Sequence, residues 1–147
     1  MRFVSRHPRD TQKIAQMLFQ EMKRAKAARS VIGLMGELGS GKTTFVQGFV
    51  RALGLKEQVR SPTFVLMKVY KTKFGGGIKH MVHVDCYRLD DPLELLHFGL
   101  RPMMKDRDAV VLIEWADRVK KILPKNTFWV RFQHGKKPHE RIISFGA

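Results

Sequence analysis

At 147 residues the chain can bury one core but has no room for a phosphate site plus a large second lobe, so a single domain over residues 1–147 is expected. A hydrophobic content of 44% without repeats or low-complexity tracts excludes a disordered polymer, and the longest apolar run, Ala109 to Ile113, is far below the roughly 20 residues of a membrane helix. The net charge of +15 suits an anionic partner, RNA or an acidic protein, and equally serves solubility, so charge names no ligand.

In chain order, "MRFVSRHPRD" has no apolar signal core, which points to a cytosolic protein. A helix is expected from Pro8 and Asp10 or Thr11, with Ile14, Leu18, Met22 and Ala25 at helical spacing, ending in the basic stretch "KRAKAARS". Ser30 to Met35 reads as a buried strand that leads into a Gly-rich loop. Phe45, Phe49 and Leu53 then repeat every four residues beside Val46 and Val50, and Gly54 caps that second helix. "TFVLMKVY" and "IKHMVHVDCY" read as two strands joined by the turn "KTKFGGG". The lone Cys86 has no cysteine to pair with, which agrees with a reducing compartment. "PLELLHFGL" follows as a short helix with its own Gly stop, "AVVLIEW" as a buried strand, and "ADRVKKIL" as a last helical stretch before Pro124. "TFWVRFQHGKKPHERIISFG" closes the chain as a hairpin.

The chemistry concentrates at "GELGSGKTTF". The run Gly36, Glu37, Leu38, Gly39, Ser40, Gly41, Lys42, Thr43 and Thr44 matches Gly-x-x-x-x-Gly-Lys-[Ser/Thr] and lies between a strand and a helix, the context that gives this motif its meaning. Its glycines let successive backbone N–H groups point inward, and the helix adds its positive end, so the stretch makes an anion nest. Lys42 is expected to reach the β- and γ-phosphates, and the Thr43 hydroxyl to ligate Mg²⁺. Two strand-end acids, Asp85 and Glu114, are the candidates for holding the metal or positioning the attacking water. Asp85 also suits an ion pair with Arg88, and Glu114 the start of a helix. His83 shares a strand face with Asp85 and either orients the phosphate site or simply packs. The chain has no Asn-Lys-x-Asp run for guanine and no Asp-x-x-Gly after the second strand, which turns the expectation from GTP to ATP.

"GELGSGKTTFVQGFVRALG", "VRSPTFVLMKVY", "HVDCYRLDDPLELLHFGL" and "VVLIEWADRV" follow one another in the order and spacing of the TsaE family, formerly called YjeE, and from about residue 10 to about residue 124 the chain resembles it. These are P-loop ATPases of bacterial tRNA threonylcarbamoyladenosine synthesis. The resemblance implies an α/β fold: a P-loop NTPase-like three-layer sandwich, its central sheet mixed and mainly parallel with antiparallel edge strands. It implies Mg²⁺ and ATP at the loop, and work on a complex of TsaB and TsaD, with tRNA met indirectly or through the basic surface. By position, Ser61-Pro62-Thr63-Phe64 resembles a first switch in which Thr63 senses the γ-phosphate and Mg²⁺. Asp85 through Arg88 resembles a second switch, Glu114 the acid at the metal, and Trp115 a residue beside the nucleotide. Thr11 matches a position near the adenine, which a helix N-cap explains equally well. Glu37 departs from the family's usual Asp, and the C-terminal hairpin is not diagnostic. The expected activity is slow ATP hydrolysis by the chain alone, faster with partners. A small P-loop kinase and a basic RNA-binding module are the other classes that the same residues allow.

Overall fold

The structure is a computed structural model that describes residues 1–24, 31–59, 67–75 and 77–146. Its elements are β1 (Arg2–Ser5), α1 (Pro8–Arg24), β2 (Val31–Gly36), α2 (Lys42–Ala52), β3 (Met67–Gly75), β4 (Ile78–Asp85), α3 (Glu94–His97), α4 (Leu100–Lys105), β5 (Ala109–Glu114), a 3-10 helix (Ala116–Ile122), β6 (Phe128–His134) and β7 (Arg141–Phe145). The strands form one seven-stranded sheet in the order β1-β7-β6-β2-β5-β4-β3. The inner four, β6, β2, β5 and β4, run parallel, while β3, β7 and β1 are added antiparallel at the two edges. The α/β sandwich with a mixed sheet is therefore present as expected.

Alternation along the inner strands sends side chains to two cores, as period-2 geometry requires. Ile32, Leu34, Met81, Val110, Leu112 and Val130 face α1 and α2. Val31, Val82, Val84, Val111 and Ile113 face the opposite side, where Leu95, Leu100, Met104 and Val119 cover them. The α2 repeat Phe45, Val46, Phe49, Val50 and Leu53 is buried, and Phe45 meets Phe132 edge-on with ring centroids 5.5 Å apart. Each such ring contributes about 1.5–3 kcal/mol when taken out of water. Gly54 follows α2 with φ +79°, Gly54 N–H donates to Arg51 O and Leu55 N–H to Val50 O, and these two bonds close the helix in the manner expected of a Gly stop.

Helices α1 and α2 lie against each other unusually closely. A Cβ placed on Gly48 would stand 2.5 Å from the Gln12 carbonyl oxygen and 2.6 Å from Gln12 Cα, so the absence of a side chain there sets the spacing. Asp10 Oδ2 accepts from Arg6 N–H, and His7 Nδ1 accepts from Arg9 N–H, so the start of α1 is satisfied from both directions.

Several local expectations need correction. Strand β1 was not expected, nor α4: Gly99, at φ +79°, stops α3 and at once caps a further helical turn from Leu100. Strand β3 runs on through Lys71 to Gly75 with a register shift, so most of "KTKFGGG" is strand rather than turn. Thr11 is not an N-cap; it lies inside α1, buried, with its hydroxyl 2.8 Å from Ser5 Oγ. Ala25 and the last residues of "KRAKAARS", and Ser61, Pro62, Thr63 and Phe64 of the first switch, lie outside the described residues. No described helix is long and apolar enough to cross a membrane.

Candidate functional site

The parallel strands share one carboxyl edge, where the loop Gly36–Gly41 leaves β2 and where β4 and β5 end in Asp85 and Glu114. In an open α/β sheet this edge is where ligands bind. The loop sits hard against β6: a Cβ on Gly36 would lie 2.5 Å from Phe132 O and 2.8 Å from Ser40 Oγ. Gly39 (φ +73°) and Gly41 (φ +106°) take left-handed conformations, and Gly41 is also the residue from which α2 starts. Successive N–H groups followed by a helix N-terminus of 11 residues are the physical ingredients of an anion nest.

Lys42 is buried and its ammonium is shared out within the loop, donating to Gly36 O (2.6 Å), Glu37 O (2.8 Å) and Ser40 Oγ (3.3 Å). Its Nζ also stands 4.1 Å from the ring centroid of Trp115. Burial pulls its pKa below the ordinary 10.5, with the charges of Glu114, Asp85, Asp117 and Glu37 acting in the opposite direction. An anion entering the nest meets this cation at its wall. Trp115 is held at φ +58°, a left-handed conformation for a bulky residue that costs on the order of 1–3 kcal/mol and is found where surrounding structure insists on it. Its ring also contacts Tyr87 (5.1 Å) and Arg118 (4.9 Å), and Arg118 donates to Tyr87 O.

The acidic side of the site is built across three elements. Thr43, in the first turn of α2, donates its hydroxyl proton to Glu114 Oε1 at 2.8 Å. Glu114 Oε2 is 2.5 Å from His83 Nε2, and both residues are buried. Asp85, also buried, accepts from Tyr87 N–H at 2.9 Å and so shapes the exit from β4. With its proton directed to Glu114, the Thr43 oxygen keeps lone pairs for a hard cation. Among the described residues no group of three or more His, Cys, Asp or Glu side chains could hold a metal alone. One hydroxyl and one or two carboxylates fit Mg²⁺ carried in on phosphate oxygens, because that ion keeps much of its water and needs few protein ligands.

Of the expected site residues, the structure gathers Gly36, Ser40, Lys42, Thr43, Asp85, Glu114 and Trp115 at this edge, and Thr44 follows in α2. Glu37 and Leu38 are exposed on the loop rim, and the Glu37 carbonyl faces inward to Lys42. Thr11 stands behind the loop, its Cγ2 3.8 Å from where a Gly41 Cβ would be. Two residues that sequence reasoning missed reach the loop from the terminal hairpin: the His134 ring lies 3.3 Å from Leu38 O, and Arg141 Nε donates to Gly39 O at 3.2 Å. Nothing in their local sequence separates them from the other basic residues of the hairpin.

Strand, glycine loop, helix and strand-end acids at one sheet edge define a protein of the P-loop NTPase-like class. The description "Threonylcarbamoyl adenosine biosynthesis protein TsaE" matches residues 5–143. The chain belongs to the TsaE family. It is 34% identical over 141 residues to the tRNA threonylcarbamoyladenosine biosynthesis protein TsaE of Bacillus subtilis, covering 96% of this chain and 82% of that one. With the protein of the same name from Treponema pallidum it shares 35% identity over 127 residues, 86% of this chain and 87% of the other. The crystal structure of YdiB from Bacillus subtilis superposes with a TM-score of 0.74 at 29% identity, covering 99% of this chain and 83% of that one.

Proposed function

We propose that the chain binds Mg²⁺-ATP at the Gly36–Thr44 stretch, hydrolyses it slowly alone, and acts in the cytoplasm on a complex of TsaB and TsaD to support its turnover in tRNA threonylcarbamoyladenosine modification. The observation that carries the reading is the 2.8 Å bond from Thr43 to Glu114, which joins the helix of the phosphate loop to a strand-end acid. Loop amides and the α2 N-terminus take the phosphate charge, and Lys42 supplies the cation beside them. When bound, Mg²⁺ would supply positive charge that offsets the charge of the phosphates. Thr43, and Thr63 from the first switch, would hold it, with Asp85 and Glu114 accepting from its water shell or orienting the water that attacks. Gly39, Ser40, Gly41 and Thr44 line the phosphates, Glu37 and Leu38 the rim, while Thr11 and Trp115 flank the nucleotide.

Partner stimulation is the expected route to a useful rate. Tyr87, just after β4, and Arg118, in the 3-10 helix, pack beside Trp115 and would pass the state of the site to a docked surface. The test is Mg²⁺-ATP hydrolysis by the chain with and without TsaB and TsaD. The expected result is stimulation by the pair and its loss in Lys42→Ala. An unchanged rate on adding the pair would count against the coupling, and a Lys42→Ala protein at the parent rate against the site.

A further inference from the structure

The mechanism above leaves a fully buried histidine without a task. His83 lies on β4 opposite Leu112 of β5, two residues before the Asp85–Glu114 register pair, so it reaches Glu114 diagonally across the two strands. It is 0% exposed, its Nε2 is 2.5 Å from Glu114 Oε2, and its Nδ1 has no hydrogen-bond partner. The geometry selects the tautomer with its proton on Nε2: a carboxylate that already accepts from Thr43 on one oxygen accepts from His83 on the other. A proton on Nδ1 would be a buried donor with nothing to receive it, at a cost of about 1–3 kcal/mol. An imidazole at this depth packs no better than a leucine, and what it adds is a directed N–H.

We infer that His83 is a positioning residue for the metal side of the site: by holding Oε2 while Thr43 holds Oε1, it fixes the plane of the Glu114 carboxylate and the direction of its remaining lone pairs. The inference rests on the Mg²⁺-nucleotide reading given above. Partners that orient an acid near a metal are typically worth 10–100-fold in metal affinity. Loss of the Nε2–H frees the carboxylate to turn about its last torsion, and the Thr43 hydroxyl proton then follows a moving acceptor. None of the Lys42 hydrogen bonds that shape the phosphate nest goes to His83, so the nest is expected to keep its own affinity.

The test compares binding of the non-hydrolysable β,γ-imido analogue of ATP in Mg²⁺ and in EDTA, by calorimetry, for the parent, His83→Leu and His83→Gln. In His83→Leu the ratio of the dissociation constant in EDTA to that in Mg²⁺ is expected to fall by roughly tenfold, with the EDTA value at the parent level. His83→Gln, which keeps a donor of similar reach, is expected to recover most of the ratio. Thermal melting of each protein without nucleotide reports folding, and if His83→Leu does not fold, His83→Asn, whose donor is too short to reach Glu114, takes its place. A ratio unchanged from the parent overturns the inference, and so does an equal loss in Mg²⁺ and EDTA, which is the mark of a purely structural histidine. A parent that binds the analogue in neither condition overturns the nucleotide reading and this inference with it.

Discussion

Gly48→Ala sets two effects of opposite sign against each other. Gly48 is interior to α2, and in a helix alanine is favoured over glycine by about 1 kcal/mol, so propensity alone makes the change stabilising. Against this, the added Cβ would stand 2.5, 2.6 and 2.9 Å from the Gln12 O, Cα and C atoms. All three are backbone atoms and no rotamer change moves them. Relief requires α1 and α2 to separate by about 1 Å, and a gap of that size forfeits a quarter to a half of each dispersion contact across the interface. The contacts at stake include the edge-on pair Phe19 and Phe49, 5.4 Å apart, and the flanking bond from Arg51 to Gln12 Oε1. Overpacking of this kind costs about 1–3 kcal/mol, and here there is no soft neighbour to give way, so the upper part of that range applies. The net expectation is destabilisation by about 1–2 kcal/mol, read in urea unfolding as a lower midpoint with an unchanged slope. Gly54→Ala is the control: open space surrounds it, and its cost comes only from φ +79°, about 1–2 kcal/mol. Gly54→Asn should recover part of that loss, whereas Gly48→Ser should be no better than Gly48→Ala. A Gly48→Ala protein as stable as the parent, or more stable, would refute the account of how α1 is seated.

Two further outcomes follow from buried groups. Because burial lowers the Lys42 pKa below 10.5, the unfolded chain binds that proton more tightly than the folded one, so this group's contribution to stability rises with pH through the window between its lowered value and 10.5. The stability of the parent relative to Lys42→Met, measured by urea unfolding at alkaline pH, should therefore increase across that window; a decrease would contradict the desolvation argument. Cys86 is the single thiol of the chain, buried, and pushed up to about 12 by burial first and by the neighbouring Asp85 second. Iodoacetamide should modify it in the native protein only at the rate of unfolding, and fast labelling at neutral pH would show that the core beneath β4 opens on its own.

Much of the frame was readable from spacing. The repeat Phe45, Phe49 and Leu53 could only be a helix with one buried face, and "AVVLIEW" bounded by polar residues could only be a short buried element. The loop announced itself because glycine, lysine and threonine at those intervals have few other uses. What escaped are features decided by distant partners. Strand β1 is four residues long and exists because it pairs with β7 near the other end of the chain, where the Phe3 and Phe145 rings meet at a tilt with centroids 5.2 Å apart. The stretch after Trp115 has helical composition but forms a 3-10 helix with Val119 at φ −120°, because its start is tied to the strained end of β5. His83 and Glu114 are 31 residues apart, and Arg141 and Gly39 are 102 apart, so only the strand register and the closing hairpin bring them together. The local pattern shows that His83 and Asp85 share a strand face; it holds no sign of which acid the histidine serves.

One equilibrium decides the proposed function: whether the Gly36–Thr44 stretch takes a nucleoside triphosphate with Mg²⁺. Calorimetric titration of Mg²⁺-ATP into the parent and into Lys42→Ala measures it directly. One site per chain is expected in the parent and affinity weakened at least tenfold in the variant, since about 1.5–3 kcal/mol resides in a hydrogen bond to a charged group. Equal affinity in the two proteins, or no binding by a folded parent, would contradict it.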